Sequence, residues 1–106
     1  MDILTNNNFD DKTQHGVVLI DVFAKWCSPC HVLSRIIDDV CKDFENDEAI
    51  SIYKVDADEQ PEIAKKFNVI SIPTLIFMKD GEFVKAVTGV QTKTVISKAL
   101  SDLNAM

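Results

Sequence analysis

Residues 17–30 read Val17-Val18-Leu19-Ile20-Asp21-Val22-Phe23-Ala24-Lys25-Trp26-Cys27-Ser28-Pro29-Cys30, and this stretch decides the fold. Its first half, Val17–Phe23, is a short β-branched run with apolar residues on both faces, which predicts a strand buried within a sheet. Past Cys30 the period changes. From about Pro29 to Phe44, Val32, Leu33, Ile36, Ile37, Val40, Cys41 and Phe44 recur at three- and four-residue spacing, with Arg35, Asp38, Asp39, Lys42 and Asp43 opposite. That pattern predicts an amphipathic helix with one face in the core. Two cysteines, two residues apart, therefore stand where a strand hands over to a helix. A thiol there meets unpaired backbone N–H groups and the positive end of the helix dipole, so its thiolate is favoured and its pKa falls. The second thiol, one turn on, can attack the mixed disulfide that the first one forms. The motif predicts a two-electron dithiol couple, hence a thiol–disulfide oxidoreductase. Cys27 is nearer the helix start and is the expected nucleophile; Cys30, inside the first turn and expected to be shielded, is the expected resolving thiol. Pro29 lacks an N–H, is tolerated in a first turn, and stiffens the loop so that the sulfurs stay in bridging range.

Outward from this segment, strands and helices alternate. Ile50–Val55 reads as a second buried strand, and Pro61–Phe67 as a short helix opened by a proline, with Ile63, Ala64 and Phe67 inward. Thr74–Met78 and Phe83–Val87 read as two antiparallel strands joined through Lys79-Asp80-Gly81-Glu82, in which Asp-Gly is a strong hairpin signal. Gln91-Thr92 caps a last helix carrying Val95, Ile96, Ala99, Leu100 and Leu103 on one face. Toward the N-terminus the signal weakens: Ile3–Leu4 reads as an edge strand, and Asn6–Gln14 offers only Phe9 for burial.

Composition bounds what the chain does. Its 106 residues are 46% hydrophobic, enough to bury an ordinary core without disulfide staples. With three Gly, three Pro, no repeat and no low-complexity run, there is no linker, so residues 1–106 are expected to form a single domain, taken as a monomer. A net charge of −6 without a Lys/Arg cluster argues against nucleic acid as a partner, because such binding is mostly counterion release by basic side chains. No apolar stretch approaches the roughly 20 residues of a membrane span, and Met1-Asp2-Ile3-Leu4-Thr5-Asn6 has neither the basic nor the apolar segment of an export signal. No membrane partner is expected. Three cysteines, an odd number, fit a reducing compartment with a catalytic pair and one further thiol, and the expected location is cytoplasmic.

Other chemistries of the same residues weaken on inspection. Cys27-Ser28-Pro29-Cys30-His31 satisfies a haem-attachment pattern, but haem would require export and a second axial ligand, and His31 has a simpler reading as a polar first-turn residue. Zinc would need Cys27, Cys30, His31 and Cys41, yet Cys41 lies eleven residues beyond Cys30 on one helix. At 1.5 Å per residue that is roughly 16 Å, against a Zn–S bond of about 2.3 Å. No metal site is expected. Cys41 shares a face with Ile37 and Phe44 and reads as a small core residue. Asp21 is the second informative residue, since a carboxylate inside Val17–Phe23 either is buried with a raised pKa or faces water at a frayed position. If buried beneath the dithiol, it is a candidate general base for Cys30, with Lys54 on the neighbouring strand as its partner. An adaptor that keeps the fold without turnover is the reading that competes with an enzyme.

Several landmarks at matching spacing resemble the thioredoxin family over nearly the whole chain: Val18 to Cys30, Lys54-Val55-Asp56, Ile72-Pro73-Thr74, Gly81 and Gly89. The resemblance implies an α/β thioredoxin fold, a mixed five-stranded sheet flanked by helices on both faces, with the dithiol at the carboxyl edge of the sheet. It implies a general protein-disulfide reductase with Cys27 as nucleophile, Cys30 as resolving thiol and Asp21 as base. It implies further that the Ile72–Pro73 bond is cis, where Pro73 alone reads as a trans residue opening a strand. Ile72 would then lie beside Cys27, offering backbone to an extended client. Trp26, Pro29, Ile72, Pro73, Gly89 and Val90 would form an apolar patch for disulfide-containing clients, with core packing as the other reading of Trp26. No bound cofactor is implied; electrons would come from a thioredoxin reductase using NADPH.

Three positions depart from the family pattern. Ser28 and Ser71 stand where Gly is usual, and Thr88 stands where the docking loop is usually apolar. Ser28 bears on the reduction potential, because a hydrogen bond from its hydroxyl to the Cys27 thiolate would stabilise the reduced form. Ser71 and Thr88 bear on recognition by reductase and client.

Overall fold

The computed structural model describes residues 1–106 as five strands and four helices around one mixed sheet. In chain order these are β1 (Asp2–Ile3), α1 (Phe9–Thr13), β2 (Val17–Phe23), α2 (Ser28–Phe44), β3 (Ile50–Asp56), α3 (Pro61–Lys66), β4 (Thr74–Lys79), β5 (Glu82–Thr88) and α4 (Lys93–Asn104). The strands lie in the order β1-β3-β2-β4-β5. β3 runs parallel to both β1 and β2, whereas β4 runs antiparallel to β2 and to β5.

The alternation of side chains along a strand builds two cores from one sheet. Val17 and Leu19 of β2 pack with Leu75 and Phe77 of β4 against Leu33, Ile37 and Val40 of α2 and Ile96, Leu100 and Leu103 of α4. On the opposite face, Val18, Ile20 and Val22 pack with Ile76 and Met78 against Phe9 of α1 and Ile63 of α3. Both faces of the central strands are covered, which is why Val17–Phe23 is apolar without a break apart from Asp21. The layered arrangement predicted above is the one observed.

Boundaries move for local reasons. Helix α2 starts one residue earlier than its periodicity suggests because Cys27 is its N-cap. The hairpin strands are longer than expected, with Lys79 paired to Glu82 across a two-residue turn in which Asp80 and Gly81 both have positive φ, 49° and 84°. That is the primed turn whose twist matches the strands. A register shift between Phe77 and Met78 bulges the exposed β5 edge. At the N-terminus, β1 is Asp2–Ile3 rather than Ile3–Leu4, and Leu4 instead plugs the core. The short α1 buries Thr13 as well as Phe9, the Thr13 hydroxyl donating to the Phe9 carbonyl at 2.8 Å. Cys41 packs half-buried at the margin of the α2–α4 core, and burial pushes its thiol pKa up. No helix is long and apolar enough to cross a membrane.

Gly16, which feeds β2, has φ of 72°, and a Cβ there would stand 2.6 Å from the Ala49 carbonyl oxygen. The Gly16 amide donates to Asp80 Oδ1 at 2.7 Å and its carbonyl accepts from the Asp80 amide, so the loop cannot swing away freely. Gly89 also has positive φ, 95°, but nothing lies within 4 Å of a Cβ there. Gly16→Ala is therefore expected to cost about 2–4 kcal/mol, and Gly89→Ala about 1 kcal/mol. Thermal unfolding separates the two: Gly16→Ala should lower Tm by about 10 °C or more, and equal shifts would show that the contact with Ala49 relaxes at no cost.

Candidate active site

The carboxyl end of β2 delivers the chain to α2 through Ala24-Lys25-Trp26-Cys27. Cys27 has extended backbone geometry, and its sulfur takes the place usually held by an N-cap oxygen: Sγ accepts the Cys30 backbone N–H at 3.2 Å. Pro29 falls in the first turn, where no amide is needed. Cys27 and Cys30 are joined by a disulfide with Cα atoms 5.3 Å apart. Cys27 is 5% and Cys30 2% exposed. Shielding therefore separates the two thiols little. What separates them is the helix terminus, where the Cys27 sulfur receives an N–H and the dipole.

Asp21 is 1% exposed, so the buried reading of this residue is the observed one. It stands on the α2 face of β2, in phase with Val17 and Leu19, and its Oδ1 has no hydrogen-bond partner. Desolvation pushes its pKa up to about 6; Lys54 pulls it down and Asp38 of α2 adds to the rise. Asp21 and Cys30 line a common cavity of about 190 Å³. Lys54 is opposite Asp21 in the parallel register but forms no contact ion pair with it. Its ammonium lies 5.8 Å from the centroid of the Phe23 ring, so Lys54 acts on Asp21 through its field alone.

Around the disulfide, Ala24, Phe23 and Ile72 pack against the two cysteines. The Ile72–Pro73 bond is cis, not the trans form that a strand-opening proline ordinarily takes. The Pro73 carbonyl accepts the Gly89 amide at 2.8 Å, which brings the Gly89-Val90 loop to the same edge. Trp26 is 72% and Val90 42% exposed, so Trp26 is a surface residue and not core filler. Pro29 is exposed, Ile72 half-buried and Pro73 buried, so Pro73 supports the apolar rim from beneath instead of contributing surface to it. His31 is exposed, its Nε2 2.9 Å from the Lys25 carbonyl. Since a carbonyl only accepts, that nitrogen carries the hydrogen. Ser28 is exposed at the first helical position, and its hydroxyl makes no hydrogen bond to Cys27 in this oxidised form. The Ser71 carbonyl accepts from the Thr74 hydroxyl at 2.6 Å, and Thr88 closes β5 with its hydroxyl 3.3 Å from that of Thr74.

One group was absent from the sequence reading. Asp58 Oδ2 accepts the Trp26 indole N–H at 2.9 Å, and Lys25 bridges Glu59 at 3.4 Å and Asp56 at 4.0 Å. Asp56, buried at the end of β3, orders this loop by accepting the amides of Asp58 and Glu59. The run Asp56-Ala57-Asp58-Glu59 at a strand's carboxyl end was the available signal, because functional loops of α/β sheets gather there.

The chain has clear relatives among known proteins. The sequence model of the family described as Thioredoxin matches residues 1–102. A thioredoxin of Staphylococcus saprophyticus is 43% identical over 97 residues, covering 92% of this chain and 91% of that protein. One of Staphylococcus aureus is 40% identical over the same shares. Among solved structures, a mutant thioredoxin from Halobacterium salinarum superposes with a TM-score of 0.86 at 26% identity, covering 100% of this chain and 91% of that one. Oxidised mitochondrial thioredoxin 3 of Saccharomyces cerevisiae gives 0.85 at 28%, with 97% and 95% covered.

A buried carboxyl with a raised pKa holds a proton that the unfolded chain releases, so folded protein binds more protons between about pH 4 and pH 6. Stability from this group falls as pH rises through that window, and above it the full penalty applies. A rise from 3.8 to about 6 corresponds to about 3 kcal/mol. Asp21→Asn should thus be more stable than the parent by up to about 3 kcal/mol at pH 7.5 and no more stable at pH 3.5, as read by urea unfolding across pH. Parallel pH curves for the two proteins would mean that Asp21 ionises without penalty.

Proposed function

This chain belongs to the thioredoxin family and is a thiol–disulfide oxidoreductase of the protein-disulfide reductase type, and we propose that Cys27 attacks, Cys30 resolves and Asp21 takes the proton. The observation that carries these roles is the Cys27 sulfur capping α2, disulfide-bonded to Cys30 above a buried, unpartnered carboxyl.

In the reaction, the Cys27 thiolate attacks one sulfur of a client disulfide. A Cys27–client bond forms, the client S–S bond breaks, and the first client sulfur leaves as a thiolate. Cys30 then gives its proton to Asp21, directly or through water, and attacks Cys27 Sγ. The Cys27–Cys30 bond forms as the Cys27–client bond breaks, so two electrons pass to the client. Clients would dock as extended segments along Ile72 against the rim formed by Trp26, Pro29, Gly89 and Val90, with Pro73 beneath and Lys54 tuning Asp21. A thioredoxin reductase drawing on NADPH would return the electrons, in the cytoplasm, to a monomeric single-domain protein formed by residues 1–106, with no bound cofactor or metal and no nucleic-acid or membrane partner.

The reduction potential expected is that of thioredoxin, about −270 mV, carried over from the family. A hydrogen bond from Ser28 to the reduced Cys27 thiolate would shift it: about 30 mV corresponds to about 1.4 kcal/mol for two electrons, the scale of one such bond. Equilibration with a glutathione buffer measures it, and a value near −120 mV would overturn the reductase direction. The roles of the thiols separate by mutation. Cys30→Ser should trap a client as a mixed disulfide on Cys27, and Cys27→Ser should be inert. One equivalent of alkylating agent at neutral pH should label Cys27 in the reduced protein, and mass spectrometry finding Cys30 or Cys41 labelled first would reverse the assignment.

A further inference from the structure

The cavity of about 190 Å³ that joins Asp21 to Cys30 is also lined by Ser34, His31 and Lys54. Ser34 stands four residues after Cys30 on α2, so the two side chains share one face of the helix. Thr13 turns its hydroxyl back to its own helix; Ser34, which lines the cavity, makes no such bond. A polar cavity of this size has room for several water molecules, each needing two to four polar partners. The lining groups differ in what they can do for a proton. Lys54 only donates, ionised Asp21 only accepts, and His31 commits Nε2 to the Lys25 carbonyl. The Ser34 hydroxyl donates and accepts at once.

We propose that Ser34 is the proton-relay residue of the resolving step: with water in the cavity, its hydroxyl passes the Cys30 proton to the Asp21 carboxylate. This rests on the reading of Asp21 as the base. Ser34 accepts the Cys30 proton through water while its own O–H proton moves toward Asp21, leaving the serine unchanged and Cys30 as the thiolate. That thiolate then forms the Cys27–Cys30 bond as the client thiolate leaves. Other charged or titratable groups near the relay are Lys54 from β3, Asp38 and His31 from α2, and Lys25 from the loop before it.

The test uses the full-length reduced protein, a peptide disulfide with a fluorescent reporter, and stopped-flow separation of attack from resolution. Ser34→Ala, a change to a better helix former, should leave attack by Cys27 unchanged and slow resolution on the order of 3- to 10-fold near neutral pH, part of the roughly 10²–10⁴ that positioned proton transfer supplies. The deficit should shrink as pH rises, because hydroxide then takes the Cys30 proton directly. Ser34→Thr, which keeps the hydroxyl, should restore the rate. A purely structural effect would slow both steps or give a deficit that does not change with pH, and either result overturns the relay. Asp21→Asn run in parallel distinguishes the failures: slow resolution in Asp21→Asn with a normal rate in Ser34→Ala leaves the base standing and removes Ser34. Normal resolution in Asp21→Asn removes the base and the relay with it.

Discussion

A sulfur caps helix α2, and the site depends on that. Any helix must satisfy the first amides of its N-terminus, and a serine or aspartate oxygen ordinarily does so. Here Cys27 Sγ accepts the Cys30 amide, so the requirement that starts the helix also holds the redox sulfur in the field of the helix dipole. Because α2 lays Leu33, Ile37 and Val40 onto the sheet, the capped end cannot drift without loosening the core. The Cys27 sulfur is fixed by packing remote from it. The loop of Asp56, Asp58 and Glu59 ties the Lys25-Trp26 approach from the other side, so the dithiol segment is held at both ends.

Against this well-satisfied terminus stands a group left unsatisfied. Strand alternation places Asp21 on the same face as Val17 and Leu19, under the start of α2, where its carboxyl is largely desolvated and its Oδ1 finds no hydrogen-bond partner within the protein. Lys54 offsets only part of the cost, since desolvation outweighs its field. A carboxyl that costs stability when ionised is one that accepts a proton readily near neutrality, which is the property a base for Cys30 requires. In the proposed role of Asp21 as base, stability and chemistry pull opposite ways.

Much of this was legible along the chain. The shift from strand period to helical period at Cys27–Cys30 located the dithiol junction, the Asp80-Gly81 pair located the hairpin, and a lone carboxylate in Val17–Phe23 marked Asp21. These signals are local, since each follows from spacing or from the backbone preference of a few neighbouring residues. The N-terminal segment was the least legible, because Leu4 and Thr13 are buried by strands and helices distant in sequence and show no period of their own.

What the amino-acid order determined by itself is the set of elements, the dithiol at a helix start and the presence of an acid among apolar neighbours. Tertiary structure decided how those pieces meet. Asp58 reaches the Trp26 indole across a sequence gap that no periodicity spans, and Lys54, adjacent to Asp21 in register, sits near the Phe23 ring without forming an ion pair with Asp21. Pro73 and Thr74 are buried beneath the rim, whereas Ile72 is half-buried and Ser71 exposed. Ser34 shares a cavity with Asp21 only because α2 crosses β2 at that point. Such contacts depend on which faces pack together and on where long side chains find room, and chain order carries no direct record of either.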